Sequence, residues 1–137
     1  IVALAAAPAD STASHYVGGE PHAPTADFGL VHEAVHQAKH LGKPVRVGPI
    51  VSSDVFYQPD AGLAGRWSER GILAVEMEAA ALYAFGAARG RPVLCFAHIT
   101  NQMAQAGADF EKGPQNGATE GLTLIEVVAR AARGPVG

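Results

Sequence analysis

Two glutamates are the only charged residues in the segment GILAVEMEAAALYAFGAA, which runs from Gly71 to Ala88. Glu76 and Glu78 stand where the hydrophobic pattern predicts that a short strand gives way to a buried helix. An acid at this point can cap the unpaired N–H groups of the helix. A carboxylate can also accept both hydroxyls of a vicinal diol, with Met77 supplying an apolar surface under a sugar ring. The periodicity alone favours neither interpretation.

Polar and aromatic side chains follow two other predicted strands. SSDVFY places Phe56 and Tyr57 after one strand as a stacking platform, and HITNQ places Thr100 and Asn101 after another. Ligands gather at the carboxyl ends of strands in open α/β sheets, and we expect these strand ends to share one edge. An aromatic face, an amide and a diol-binding acid at one edge would suit a nucleoside. Taken singly, Phe56 is explained at least as well as a core residue and Asn101 as a turn residue.

The segment HEAVH has the H-E-x-x-H spacing that places two histidines on the metal of zinc peptidases. At about 100° per residue, His32 and His36 fall on the polar half of a predicted helix, together with Lys39 and His40. A zinc-peptidase helix must instead turn its histidines into a cleft with a third ligand. We therefore predict a solvated helix face and no metal site.

Strand and helix patterns alternate along the chain. The predicted elements are a strand at 1–7, a long loop to about 25, a helix at about 28–41, a strand at 45–51, a short amphipathic helix ending near 71, the strand ILAV, a buried helix at 77–89, the buried strand RPVLCFAHIT and a last helix at 119–133. This alternation predicts an α/β fold in one domain, with a mostly parallel or mixed central sheet flanked by helices. Because a strand pattern stands at its start, we expect the chain to begin in the middle of a fold.

The composition argues against several classes of partner. The 137 residues carry a formal net charge of -3, and the 10 Lys and Arg residues are scattered, so nucleic-acid binding has little support. The apolar runs are shorter than the roughly 18 residues of a membrane span. The single cysteine, Cys95, excludes an internal disulfide and favours an inert core thiol in a reducing cytosol. We expect a cytoplasmic protein without a nucleic-acid or membrane partner.

Three segments in order resemble the C-terminal part of the hexameric-type purine nucleoside and uridine phosphorylases: VRVGPIVSSDVFYQPD, GILAVEMEAAALYAF and VLCFAHITN. TADFGLVHEAVHQAKHLG is similar to the helix that precedes them in this family. The similarity runs from about residue 10 to the C-terminus. It implies a partial nucleoside phosphorylase fold, in which residues 1–137 are the C-terminal portion of a single domain and the N-terminal phosphate-binding half is absent.

The resemblance implies reversible phosphorolysis of a nucleoside to a free base and a pentose 1-phosphate. Glu78 would hold the ribose 2′- and 3′-hydroxyls, Met77 would pack on the sugar, and Asn101 would be the catalytic group at the N7 and O6 side of the purine. The base-binding residues would be Phe56, Tyr57, Val75, Glu76, Thr100 and Asn101. The family uses no metal and no cofactor, takes inorganic phosphate as co-substrate, and assembles as homo-oligomers that are hexamers or dimer-based.

The chain departs from the family pattern at several positions. The most similar purine enzymes carry an aspartate where Asn101 stands and an arginine where Pro114 stands. The Gln and Arg that read uracil in uridine phosphorylases have no counterpart at Asp60 and Gly62. We therefore expect a purine nucleoside phosphorylase that prefers 6-oxopurines, and no activity from this fragment alone. The alternatives are a uridine phosphorylase, a related nucleoside hydrolase, and a non-catalytic nucleoside-binding or truncated α/β module.

Overall fold

The computed structural model describes residues 1–9, 12, 13, 16, 23–54, 61–99 and 118–133. Within these residues the chain forms four strands and four helices. The strands are β1 (Val2–Pro8), β2 (Val47–Ser52), β3 (Val75–Glu76) and β4 (Cys95–Phe96). The helices are α1 (Phe28–His40), α2 (Ala61–Glu69), α3 (Ala79–Arg89) and α4 (Ala118–Arg133). The predicted order of elements is confirmed for the described parts of the chain, although β3 and β4 are much shorter than their apolar runs.

The four strands form one mixed sheet in the order β3-β2-β1-β4. β2 pairs in parallel with both β1 and β3, whereas β4 pairs with β1 in the antiparallel direction. The prediction of a mostly parallel or mixed sheet flanked by helices is therefore confirmed. In the pairing of β2 with β3, Ser52 stands opposite Glu76 at the carboxyl ends of both strands. This sheet edge places a hydroxyl next to a carboxylate.

The direction of β4 corrects one expectation about the site. Phe96 pairs with Val2 at the start of β1, and the N–H of Ala97 donates to the carbonyl of Ile1 at 2.9 Å. The carboxyl end of β4 therefore points away from the edge where β2 and β3 end, so the expected common edge for all three strands is wrong. Hydrophobic periodicity marks a strand but does not fix its direction, which depends on distant pairing partners.

Helix α1 follows local sequence signals closely. The side chain of Asp27 accepts a hydrogen bond from the N–H of Leu30 at 2.9 Å, which caps the start of the helix. Gly42, with a φ of 63°, takes the left-handed conformation that ends many helices. The buried face of α1 consists of Val31, Ala34 and Ala38.

Helix α3 is only partly buried, although its sequence is apolar almost all round. Leu82 and Phe85 are 47% and 41% exposed, because within the described residues only one face of α3 packs on the sheet. Phe85 makes an edge-to-face contact with Tyr16, with the ring centres 5.7 Å apart, and the Arg89 guanidinium lies over the Phe85 ring. The expectation of a fully buried helix is therefore wrong for the outer face of α3.

The buried face of α3 is tied to the sheet by Tyr83, which is 2% exposed. Its hydroxyl donates to the carbonyl of Ala3 in β1 and accepts from the N–H of Cys95 in β4 at 3.1 Å. Ala3 and Cys95 are themselves register partners, so one hydroxyl connects two paired strands to the helix. Burial raises the pKa of the Tyr83 phenol, which keeps its proton on the oxygen.

The hydrophobic core is built largely from small side chains. Of the sixteen buried hydrophobic residues in the described part of the chain, nine are alanines, which means that helices and strands approach each other closely. α4 packs against α1 and contributes Leu124 and Val128 to this core. Among the helices that the structure describes, none is long and apolar enough to cross a membrane.

Candidate nucleoside site at the β3–α3 turn

The candidate site is the β3–α3 turn, defined as residues 76–79, where the chain leaves β3 and enters α3. β2 supports this turn from the side, because the N–H of Ser53 donates to the carbonyl of Glu76 at 2.8 Å. The turn therefore lies at the carboxyl end of two parallel strands and at the start of a helix. In α/β folds this is the common place for ligand binding.

The carboxylate of Glu76 caps α3. Its Oε2 atom accepts hydrogen bonds from the N–H groups of Glu78 and Ala79, both at 2.7 Å. Its Oε1 atom accepts a hydrogen bond from the Ser52 hydroxyl. The Ser52 Oγ in turn accepts from the N–H of Ala80 at 2.8 Å. The capping interpretation therefore applies to Glu76, and the oxygens of its carboxylate are engaged within the protein.

Glu78 is in a different situation. It occupies the N-cap position of α3, with φ at −132° and ψ at −29°, but its side chain makes no capping hydrogen bond in the described structure. Its backbone carbonyl accepts from the N–H of Leu82 at 3.0 Å, while its side chain is exposed. Met77 beside it is 44% exposed. One glutamate thus fixes the turn, and the other presents a carboxylate beside an exposed apolar side chain.

The predicted base-binding residues are only partly within the described structure. Val75 is half-buried in β3, opposite Val51 of β2. Glu76 is half-buried, with its carboxylate in the helix cap. The remaining members of the set lie outside the described residues, so their roles stay predictions: Phe56, Tyr57, Thr100 and Asn101.

Sequence reasoning missed Ser52. Its side chain is fully buried at the end of β2, and its hydroxyl connects β2 to both Glu76 and the first turn of α3. A buried hydroxyl at the end of an apolar strand needs a hydrogen-bond partner. The segment PIVSSD could therefore have indicated that Ser52 bonds to a neighbouring element.

The two histidines of the HEAVH segment lie on the exposed side of α1. His32 and His36 are both exposed, and the Nε2 atom of His36 lies 3.1 Å from that of His40. Among the described residues, no group of three His, Cys, Asp or Glu side chains is arranged to hold a metal ion. The predicted polar helix face is confirmed, and the absence of bound zinc stays a prediction.

Cys95 is half-buried in β4 and is a free thiol. Burial raises its pKa, which favours the uncharged and unreactive form. This environment agrees with the interpretation of Cys95 as a structural thiol.

A separate cleft of about 360 Å³ lies at the other end of α3. Its lining includes Tyr83, Gly86 and Arg91, together with residues 25–27, which precede α1. It is therefore distinct from the β3–α3 turn, where the exposed acid stands.

Comparison with known proteins identifies the family. The model of the phosphorylase superfamily matches residues 4–133. A purine nucleoside phosphorylase DeoD-type of Myxococcus xanthus is 34% identical over 117 residues, which is 85% of this chain and 49% of the relative. The purine nucleoside phosphorylase DeoD-type 1 of Photobacterium profundum is 41% identical over 91 residues, 66% of this chain and 38% of the relative.

The purine nucleoside phosphorylase DeoD-type 2 of Aliivibrio fischeri is 42% identical over 78 residues, 57% of this chain and 33% of the relative. These alignments cover at most about half the length of the curated relatives. The match to the family model, in contrast, covers almost all of this chain. On this evidence the chain belongs to the phosphorylase superfamily.

Proposed function

We propose that the protein carrying this chain is a purine nucleoside phosphorylase. It transfers the pentose of a purine nucleoside to inorganic phosphate and releases the free base. The observation that carries this proposal is the difference between the two glutamates of the β3–α3 turn. Glu76 caps the helix, whereas Glu78 presents an exposed acid next to Met77. The three curated relatives described above are all named purine nucleoside phosphorylases, which supports the same reaction.

Glu78 binds the ribose. Its two carboxylate oxygens accept the adjacent 2′- and 3′-hydroxyls, and a hydrogen bond to a charged acceptor contributes about 1.5 to 3 kcal/mol. Met77 packs against the apolar face of the sugar.

The reaction needs a second site for phosphate. A phosphate oxygen forms the new bond to the anomeric carbon while the bond to the base nitrogen breaks, and the base takes the electron pair and is protonated. This requires the phosphate to be held in line with the breaking bond. We assign that anion site to the part of the protein that corresponds to the remaining half of the longer relatives. The 137-residue chain alone is expected to be inactive. No metal or organic cofactor is assigned.

The preference for 6-oxopurines rests on the family resemblance at Asn101 alone, because the direction of β4 does not support a common edge with the β3–α3 turn. A neutral amide can donate an N–H to the purine N7, but it cannot donate a full proton. A 6-oxopurine spreads its developing negative charge onto O6, whereas a 6-aminopurine depends more on protonation. Inosine and guanosine are therefore the proposed substrates. Asn101→Asp is expected to raise the activity on adenosine relative to inosine.

We also assign the protein to homo-oligomers in the cytoplasm, either hexamers or assemblies of dimers. Two large apolar side chains, Leu82 and Phe85, are exposed on the outer face of α3, and exposed apolar patches are typical of interaction surfaces. The single free thiol of Cys95 fits a reducing compartment.

The experiment measures kcat/KM of the full-length protein for inosine, adenosine and uridine, with and without phosphate. We expect inosine to be the best of the three substrates and turnover to require phosphate. Faster turnover of uridine would reject the purine assignment, and turnover independent of phosphate would indicate a hydrolase.

Paired variants test the role of Glu78. Glu78→Gln is expected to lose much more activity on inosine than the matched control Glu76→Gln, because only Glu78 is assigned to the diol. On 2′-deoxyinosine the penalty of Glu78→Gln is expected to shrink. Equal losses for the two glutamates would remove the ribose assignment.

A further inference from the structure

We propose that Ser52 is a positioning residue for Glu78, acting through the carboxylate of Glu76 and the first turn of α3. This inference deepens the proposed function and rests on it. Ser52 is fully buried, whereas Glu78 is exposed, so Ser52 influences a bound nucleoside only through the residues between them.

Ser52 and Glu76 together satisfy three consecutive N–H groups at the start of α3. Glu76 Oε2 accepts from Glu78 and Ala79, and Ser52 Oγ accepts from Ala80. The Ser52 hydroxyl also donates to Glu76 Oε1, which joins the two acceptors into one network. Three of the orphan donors of the helix start are therefore bonded by residues that precede the N-cap position.

This arrangement leaves the side chain of the N-cap residue available. An N-cap side chain normally accepts a hydrogen bond from an N–H two or three positions into the helix. Glu78 holds the N-cap position, yet its carboxylate makes no such bond in the described structure, where the Ser52 hydroxyl occupies the Ala80 N–H. The Ser52–Glu76 network thus keeps the Glu78 carboxylate extended toward a ligand.

Removal of the Ser52 hydroxyl changes which side chain bonds to the N–H groups at the start of α3. Without it, the Ala80 N–H loses its acceptor, and Glu76 Oε1 loses its donor. The helix start then attracts the nearest carboxylate that makes no capping bond in the described structure, which is that of Glu78. A Glu78 that caps its own helix is withdrawn from the diol, so the affinity for a ribonucleoside falls while the chemistry at the base is unchanged.

The test is a double-mutant cycle in the full-length protein with Ser52→Ala, Glu78→Gln and the combination of both. The substrates are inosine and 2′,3′-dideoxyinosine, which lacks the diol. Ser52→Ala is expected to lower kcat/KM on inosine roughly tenfold. Most of this loss is expected in KM, because the variant weakens a hydrogen bond that binds the ligand. On dideoxyinosine the loss is expected to stay under about twofold, and in the Glu78→Gln background Ser52→Ala is expected to add little.

Tyr83→Phe is the matched control. It removes buried hydrogen bonds from the same helix without touching the β3–α3 turn, so it is expected to lower the Tm and to affect both substrates equally. If Ser52→Ala does not fold, Ser52→Cys, which keeps a side chain of similar size but makes only weak hydrogen bonds, takes its place in the same cycle.

Two results would overturn the positioning role: additive losses for Ser52→Ala and Glu78→Gln, or equal losses on the two substrates. Failure of the proposed function looks different. In that case the full-length protein does not convert inosine and phosphate at all, with or without the Ser52→Ala substitution.

Discussion

Replacing Tyr83 with phenylalanine isolates one hydroxyl that holds α3 to two strands. The ring remains, so the buried apolar area is almost unchanged, while the bonds to the Ala3 carbonyl and the Cys95 N–H are lost. Ala3 is fully buried, and leaving a buried group without its partner costs about 1 to 3 kcal/mol. The half-buried Cys95 N–H adds about 1 kcal/mol. Tyr83→Phe is therefore expected to lower the free energy of unfolding by about 2 to 4 kcal/mol.

Urea denaturation followed by circular dichroism measures this loss. Tyr16→Phe is a suitable control, because Tyr16 is 45% exposed and its ring contact with Phe85 survives the substitution. Its effect is expected to stay within about 0.5 kcal/mol. If Tyr83→Phe behaves like Tyr16→Phe, the hydroxyl does not stabilise the junction of α3, β1 and β4, and the reasoning is refuted.

The pH dependence supplies a second arm of the same experiment. Burial raises the pKa of the Tyr83 phenol above its ordinary value of about 10, so its contribution to stability is complete below that pH. As the pH rises further, the unfolded chain ionises first and the native protein loses stability relative to it. The difference between wild type and Tyr83→Phe is therefore expected to shrink above about pH 10. A constant difference up to pH 11 would contradict the burial of this group.

Gly86→Ala is expected to destabilise the protein by about 1 to 2 kcal/mol in thermal melts, because the added Cβ would lie 2.8 Å from the backbone oxygen of Arg91. Helix propensity alone would predict the opposite, since alanine favours helices more than glycine does. A stabilised variant would show that this contact relaxes. Because burial raises the pKa of the Cys95 thiol, iodoacetamide at pH 8 is expected to alkylate the native protein more slowly than the urea-unfolded protein. Equal alkylation rates in the native and the unfolded protein would contradict the burial of this thiol. Elemental analysis of untagged protein is expected to find no stoichiometric zinc, whereas zinc lost in a His32→Ala, His36→Ala double variant would reverse that conclusion.

The parts of the fold that local signals determine were predictable from the sequence. α1 was placed within about one residue, because a capping aspartate, an apolar stripe and a terminal glycine all act within a few residues of the helix. The direction of β4 was not predictable in this way. It depends on pairing with β1, more than ninety residues earlier in the chain, and periodicity carries no information about that partner.

The candidate site shows the same limit. The sequence identified Glu76 and Glu78 as the informative pair, but it could not decide which of them caps the helix. That choice depends on the backbone angles of the turn and on Ser52, which is 24 residues from Glu76 in sequence and adjacent to it only through the sheet. Non-local strand pairing therefore decides the local role of each carboxylate.

The alanine-rich core has a consequence for mutational analysis of this protein. Alanine scanning works by deleting side-chain atoms, and at Ala3, Ala6, Ala34, Ala38, Ala80 and Ala84, all fully buried, there is almost nothing to delete. Such a scan would therefore miss these six interior positions. They can be probed only by adding volume, for example with valine, since added methyl groups meet close-packed neighbours. For the same reason we expect natural variation at these positions to be restricted, and related sequences to diverge mainly on the outer faces of the helices.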